Sequence, residues 1–281
     1  MADRQRCPVA HSSRYGGTWL PVTHSLVSEV AYDHDRFTSR SVVVAERRPG
    51  PDAPPIPIGV APPITSDPPF HAIVRRMLIP AFAPKAIAAL EPFTRSLCRE
   101  LLSSVGDRAS FDASVLYAQH IPVRVIVQFL GFPQSDADLF RSFIRRVMED
   151  VDQTPDVRDE VLEEMDDYMT AQISAHREHP RDDLTSFLCD AEIGGEKLSI
   201  EHIRGTMVLL MIAGIDTSWS AIGASLWHLA SHEADLRRLV SQPELMDTAL
   251  LPFPAANRDP AAVIWSGGQI RGPRELPVTI S

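Results

Sequence analysis

Two pairs of side chains in this sequence are of types and spacings that do chemistry. Asp216 and Thr217 end an unbroken run of nine apolar residues, Met207 to Ile215. A carboxylate and a hydroxyl set that deep in an apolar stretch are expensive unless partnered or used. A polar kink or cap inside a core helix accounts for the same two residues. Ala213 and Gly214, one turn earlier, are small enough for a helix to bend there or for another group to lie against its backbone. His71 and Arg75 are four residues apart and so share one face of a helix. Pointing inward, that face suits a pair of carboxylates; outside any wider context, an ordinary surface pair is the simpler reading.

The elements that must position these groups are helical. A helix apolar all round is a buried one, since a surface helix shows a polar stripe. Nine apolar residues are too few to cross a bilayer. Ser199 is placed to cap the start of this central helix, and its pattern runs on through Trp219, Leu226 and Leu229. Asp67 is a fair N-cap for the helix carrying His71 and Arg75, with Pro68 and Pro69 suited to its first turn. Upstream, Thr18–Thr23 has strand composition and Ser25–Asp33 helical spacing. Pro84–Val105, a stretch capped by Asp136, and Val157–Ile173 each read as a helix with one buried face, and Ile121–Leu130, closed by Gly131 and Pro133, reads as a buried helix. Half of the 24 prolines lie between Pro49 and Pro92, and Pro49–Pro63 reads as a solvated connector.

Composition bounds the function. The 281 residues carry a net charge of −10, which argues against a nucleic-acid partner and leaves no basic membrane patch. Met1–Ser13 lacks an apolar run of the signal-peptide kind, so a cytoplasmic location and no membrane association are expected. Cys7, Cys98 and Cys189 are scattered without metal-ligand spacing, as free thiols in a reducing compartment would be.

Ala213-Gly214-Ile215-Asp216-Thr217 resembles the oxygen-binding helix of bacterial cytochrome P450, a haem-thiolate monooxygenase. The chain is similar to that family elsewhere too. Asp35–Arg40 resembles the close of its first helical unit. His71-x-x-x-Arg75, with Asp67-Pro-Pro before it and Ile79-Pro-Ala-Phe82 after it, resembles the helix that holds the haem propionates. Arg181–Leu188 resembles the segment before the central helix. The resemblance is continuous over residues 14–240, with two further pieces. Leu250–Pro260 is similar to a late strand and its Ala-Asn-Arg-Asp-Pro turn, and Gly268–Val278 to a C-terminal hairpin.

The resemblance implies a single mainly α domain over residues 1–281, a P450-like helical fold with small β elements. It implies haem b held by His71 and Arg75, with Ala213 and Gly214 leaving room for dioxygen. Thr217 would hydrogen-bond to it and Asp216 would gate proton delivery. Ile64 and Leu210 would face a small apolar substrate, under the Pro49–Pro63 loop and a lid formed by the helices after Asp136. A ferredoxin-type protein would donate electrons, and the reaction would insert one oxygen atom into a C–H bond.

The sequence also departs from the pattern. No Glu-x-x-Arg helix stands between Val240 and Leu250, no Phe-x-x-Gly-x-x-x-Cys loop between Pro260 and Val263, and no cysteine follows Cys189. The proximal side is therefore incomplete, as if through two internal deletions near Met246–Asp247 and Ala261–Val263. Cys189 is a poor substitute ligand, because Asp190 and Glu192 beside it disfavour a thiolate. The expected consequence is a scaffold inactive in this form; a non-enzymatic helical remnant or apolar-ligand-binding protein is the alternative.

Overall fold

The computed structural model describes residues 8–13, 17–40, 60–148, 155–246, 264–265 and 273–279. Both junctions, the Ala-Asn-Arg-Asp-Pro turn, Cys7 and most of the Pro49–Pro63 loop lie outside the described residues. The chain divides into two units.

The first comprises Met1–Ala83, Met169–Pro180 and Thr185–Leu209. Strands β1 (Val9–Ser12) and β2 (Thr18–Pro21) form an antiparallel ribbon, followed by α1 (His24–Tyr32), which Thr23 caps through its hydroxyl. Helix α2 (Phe70–Leu78) buries Val74 and Leu78. Its N-cap is Pro69, not Asp67. The Asp67 carboxylate instead accepts from the backbone N–H of Ser39 at 2.8 Å and from the Thr38 hydroxyl. These bonds hold it below the usual carboxylate range, against the opposing effect of burial.

The second unit comprises Pro84–Tyr168, Arg181–Leu184 and Leu210–Ser281. The single helix expected over Pro84–Val105 is two, α3 (Pro84–Ala88) and α4 (Glu91–Val105). The break falls where Pro92 would need to sit inside a helix; restarting at Glu91 places it in a first turn, where its missing N–H costs nothing. Strand β3 (Ser110–Asp112) leads into a π turn at Ser114–Ala118 and then α5 (His120–Leu130). Gly131 closes α5 with a left-handed backbone, φ 78°.

Next come α6 (Ala137–Met148) and α7 (Pro155–Glu178), the second of which continues into the first unit. Asp136 ends a 3-10 turn (Gln134–Asp136) and stands directly before α6, and its carboxylate accepts from the Tyr168 hydroxyl at 2.7 Å. That bond lies at the edge of a cluster of Phe132, Phe140, Phe143 and Tyr168 rings, with centroids 5.5 to 6.5 Å apart. The Arg146 guanidinium pairs with both carboxylate oxygens of Glu164, at 2.6 and 3.0 Å, bracing α6 against α7.

Back in the first unit, α8 (Leu184–Asp190) starts at the boundary and the hairpin β4 (Glu192–Ile193) and β5 (Glu196–Lys197) follows. Helix α9 (Ile200–Ser231) is the predicted central helix, 32 residues long, with the Ser199 hydroxyl capping the His202 N–H at 3.1 Å. It runs through both units and is followed by α10 (Glu233–Ser241). By length and composition α9 could cross a membrane, so the nine-residue argument does not exclude that. The buried carboxylate of Asp216 at its middle does argue against it, because an acid within a bilayer-spanning helix is costly.

The first arm of the expected C-terminal hairpin, residues 268–272, lies outside the described residues. Strand β6 (Ile264–Trp265) pairs with β7 (Pro273–Glu275), while β8 (Pro277–Thr279) pairs with β3. Asp112 secures that second ribbon, accepting the backbone N–H groups of Ser114, Val115 and Leu276 at 2.9 to 3.0 Å.

Candidate active site

Helix α9 sorts its middle residues by rotation about its axis. Met211, Ile215, Asp216 and Trp219 are buried, whereas Ala213, Thr217 and Ala221, spaced four apart, form an exposed stripe of small side chains. Asp216 is 1% exposed and its neighbour Thr217 is open, because successive helical residues are about 100° apart. The Thr217 hydroxyl donates to the Ala213 carbonyl one turn back, at 2.5 Å. Its oxygen thereby stays on the open face with acceptor capacity left for a further donor.

Gly214 is half-buried. A Cβ there would come within 2.4 Å of the Ile126 side chain on α5, so the space beside its backbone is filled by that isoleucine. Ala213, by contrast, faces out. Leu210 is half-buried a turn earlier. The rotation of α9 is fixed partly by Trp219, whose indole N–H donates to the Ser114 hydroxyl at 2.9 Å. Sequence reasoning passed over this bond, since 105 residues separate its ends.

In the first unit, His71 is half-buried and Arg75 exposed on α2, with no side-chain partner for either among the described residues. Ile64 is 44% exposed at the tip of a turn. Both described cysteines are committed elsewhere. Cys98 lies against Leu97, Leu101 and Ile121 and interacts with the Tyr117 hydroxyl, which burial and this thiol push well above its ordinary range. Cys189 approaches the Ile173 carbonyl at 3.9 Å. Among the described residues no group of three His, Cys, Asp or Glu side chains could hold a metal ion.

The family model for cytochrome P450 matches residues 123–240, from α5 to the end of α10. Over 190 residues the chain is 32% identical to cytochrome P450 CYP107DY1 of Priestia megaterium, an alignment spanning 66% of this chain and 46% of that protein. The chain belongs to the cytochrome P450 family. It is also 28% identical to the polyketide biosynthesis cytochrome P450 PksS of Bacillus subtilis, over 66% of this chain and 46% of that one. Among solved structures, a mutant of P450 EryK in complex with erythromycin B superposes with a TM-score of 0.73 at 26% identity, covering 98% of this chain and 71% of that chain. The mainly α fold read from the sequence is thus a P450 fold. The chain spans about half the length of the curated relatives it matches.

This P450 chain has a feature that the sequence did not flag, on the first turns of α9. His202 is 8% exposed, its Nε2 has no hydrogen-bond partner, and the Phe70 ring packs edge-on at 5.6 Å. Burial lowers its pKa. The folded state therefore resists a proton that the unfolded chain accepts below about pH 6.5. Above that pH neither state is charged and nothing is lost. As pH falls through 6.5, stability falls with it. Denaturant melts at pH 7.5 and 5.5 are expected to show a smaller acid penalty for His202→Gln than for the parent; equal penalties would remove His202 as the cause.

Proposed function

We propose that this chain carries the distal half of a P450 monooxygenase site and, in this form, lacks the thiolate that completes it. The observation behind the reading is the open Ala213–Thr217–Ala221 stripe beside a buried Asp216. Small side chains leave room for a flat cofactor and a small apolar substrate against α9. The Thr217 hydroxyl offers a hydrogen bond on that side, and Asp216, one residue before it and turned inward, would gate proton delivery toward it. Leu210 adds apolar surface on the same helix. In the first unit, Ile64 is exposed, and His71 and Arg75, with no other partner among the described residues, suit the two propionates of haem b by charge-assisted hydrogen bonds.

Haem fits these residues on one side only. When bound with a thiolate, it supplies oxygen insertion into C–H bonds, using electrons from a partner of ferredoxin type. Cys98 and Cys189 are committed to packing and no cysteine follows Cys189, so no described residue supplies that ligand. No step of the reaction follows from the residues present. What they support is a scaffold that holds an apolar ligand or loosely bound haem, in a bacterial cytoplasm.

The deciding experiment is an absorption spectrum of the chain expressed with haem precursor, reduced and exposed to carbon monoxide. The expected result is no thiolate-type Soret band, with either no haem or haem of weak or imidazole-type ligation. A thiolate-type band would show that one of the three cysteines has been recruited, and the proposal of a lost ligand would fall.

A further inference from the structure

The described part of the loop ahead of α2 is a closed turn seated on α9. The Ala61 N–H donates to the Thr65 hydroxyl at 2.9 Å, the Thr65 N–H donates to the Ala61 carbonyl at 3.3 Å, and the Ser66 N–H donates to the Pro63 carbonyl at 3.0 Å. Its base, Ala61, Pro62 and Thr65, is buried, and its tip, Ile64, is exposed. Two residues of α9 hold that base. Gly205 has no side chain where one would stand 1.7 Å from the Val60 carbonyl oxygen and 3.1 Å from the Ala61 Cα. Beside it, the fully buried Thr206 hydroxyl donates to the Pro62 carbonyl at 3.1 Å. All of these residues belong to the first unit.

We propose that Gly205 and Thr206 are positioning residues for Ile64: the notch and the hydroxyl fix the turn's base on α9, and so set where its apolar tip stands toward a ligand. The role toward a ligand rests on the apolar-ligand reading given above; the seating itself does not. The argument is one of two independent fits at one place. Backbone faces Gly205, so a larger residue there would lift the turn away, because a carbonyl cannot rotate aside as a side-chain end can. The Thr206 bond supplies a donor to a buried carbonyl that would otherwise lack water. The turn thus has one seat and one height. Neither residue needs to touch a ligand to affect which shapes Ile64 admits.

Amide hydrogen exchange on the full chain tests this. Thr206→Val keeps the volume and removes the donor. It is expected to speed exchange at the Thr65 and Ser66 amides by about tenfold or more, the range for losing a buried hydrogen bond, while amides of α4 and α5 stay unchanged. Thr206→Ser restores the hydroxyl and is expected to restore the parent rates. Gly205→Ala should release the same two amides; if it fails to fold, the Val and Ser pair alone decides. Unchanged exchange in Thr206→Val, or acceleration spread over the whole chain, would overturn the proposal. Exchange requires neither haem nor ligand. A failed carbon monoxide experiment would therefore sink the functional reading and leave the seating of the turn standing.

Discussion

Gly131→Ala is expected to cost the second unit about 2–5 kcal/mol of stability, among the largest losses available to a single methyl group in this chain. Two effects combine. The backbone at Gly131 is left-handed, φ 78° and ψ 23°, where an alanine is strained by about 1–2 kcal/mol. The new Cβ would also lie 2.1 Å from Oδ2, 2.3 Å from Cγ and 2.6 Å from Cβ of Asp183, so that whole side chain must move. It cannot move freely, since Arg181 next to it donates to the Gly131 carbonyl at 3.2 Å and holds the same corner. The left-handed turn lets Gly131 and Phe132 donate back to Gln128 and Val127, at 3.1 and 2.9 Å. Denaturant melts of Gly131→Ala, Asp183→Ala and the double variant separate the effects: the double variant should recover the overlap and retain the strain. A loss below about 1 kcal/mol for Gly131→Ala would show that the corner relaxes more easily than its geometry implies.

Local signals in the sequence carried much of the fold. Ser199 as a cap, the apolar run after it and Gly131 as a helix end are short-range devices, and each stands where the residue types placed it. What was not legible depended on partners distant in sequence. Asp67 precedes a helix like an N-cap, yet Thr38 and Ser39 compete for its carboxylate and win. The Pro277–Thr279 strand pairs with β3 across more than 150 residues, which no hairpin signal encodes. Gly205 carries no local signal of its role, and only the Val60 backbone beside it shows why no larger residue fits.

The candidate site divides along the same line. That Asp216 and Thr217 sit mid-helix was readable. That one is buried and the other open followed only once the helix's rotation was known. Gly214 shows the limit of reasoning by residue size: its missing side chain marked a space, and the structure gives that space to Ile126.

The rotation of α9 has its own test. Trp219→Ala is expected to destabilise the second unit by about 3–5 kcal/mol, and Trp219→Phe by about 1–2 kcal/mol. Trp219 is 7% exposed and donates to a fully buried Ser114 hydroxyl in the π turn before α5. Phenylalanine keeps most of the apolar volume and loses the donor; alanine loses both and leaves a cavity. Melting both variants measures the two contributions, and an alanine variant no worse than the phenylalanine one would show that packing at this position carries little. Trp219 and Thr217 are two residues apart and so about 200° apart around the helix. Anchoring the indole on the buried side therefore holds the Thr217 hydroxyl on the open side, and the variant that loosens the anchor should expose Asp216. Faster exchange at the Asp216 and Thr217 amides in Trp219→Ala than in Trp219→Phe is the expected sign that packing on one face of α9 sets the chemistry presented by the other.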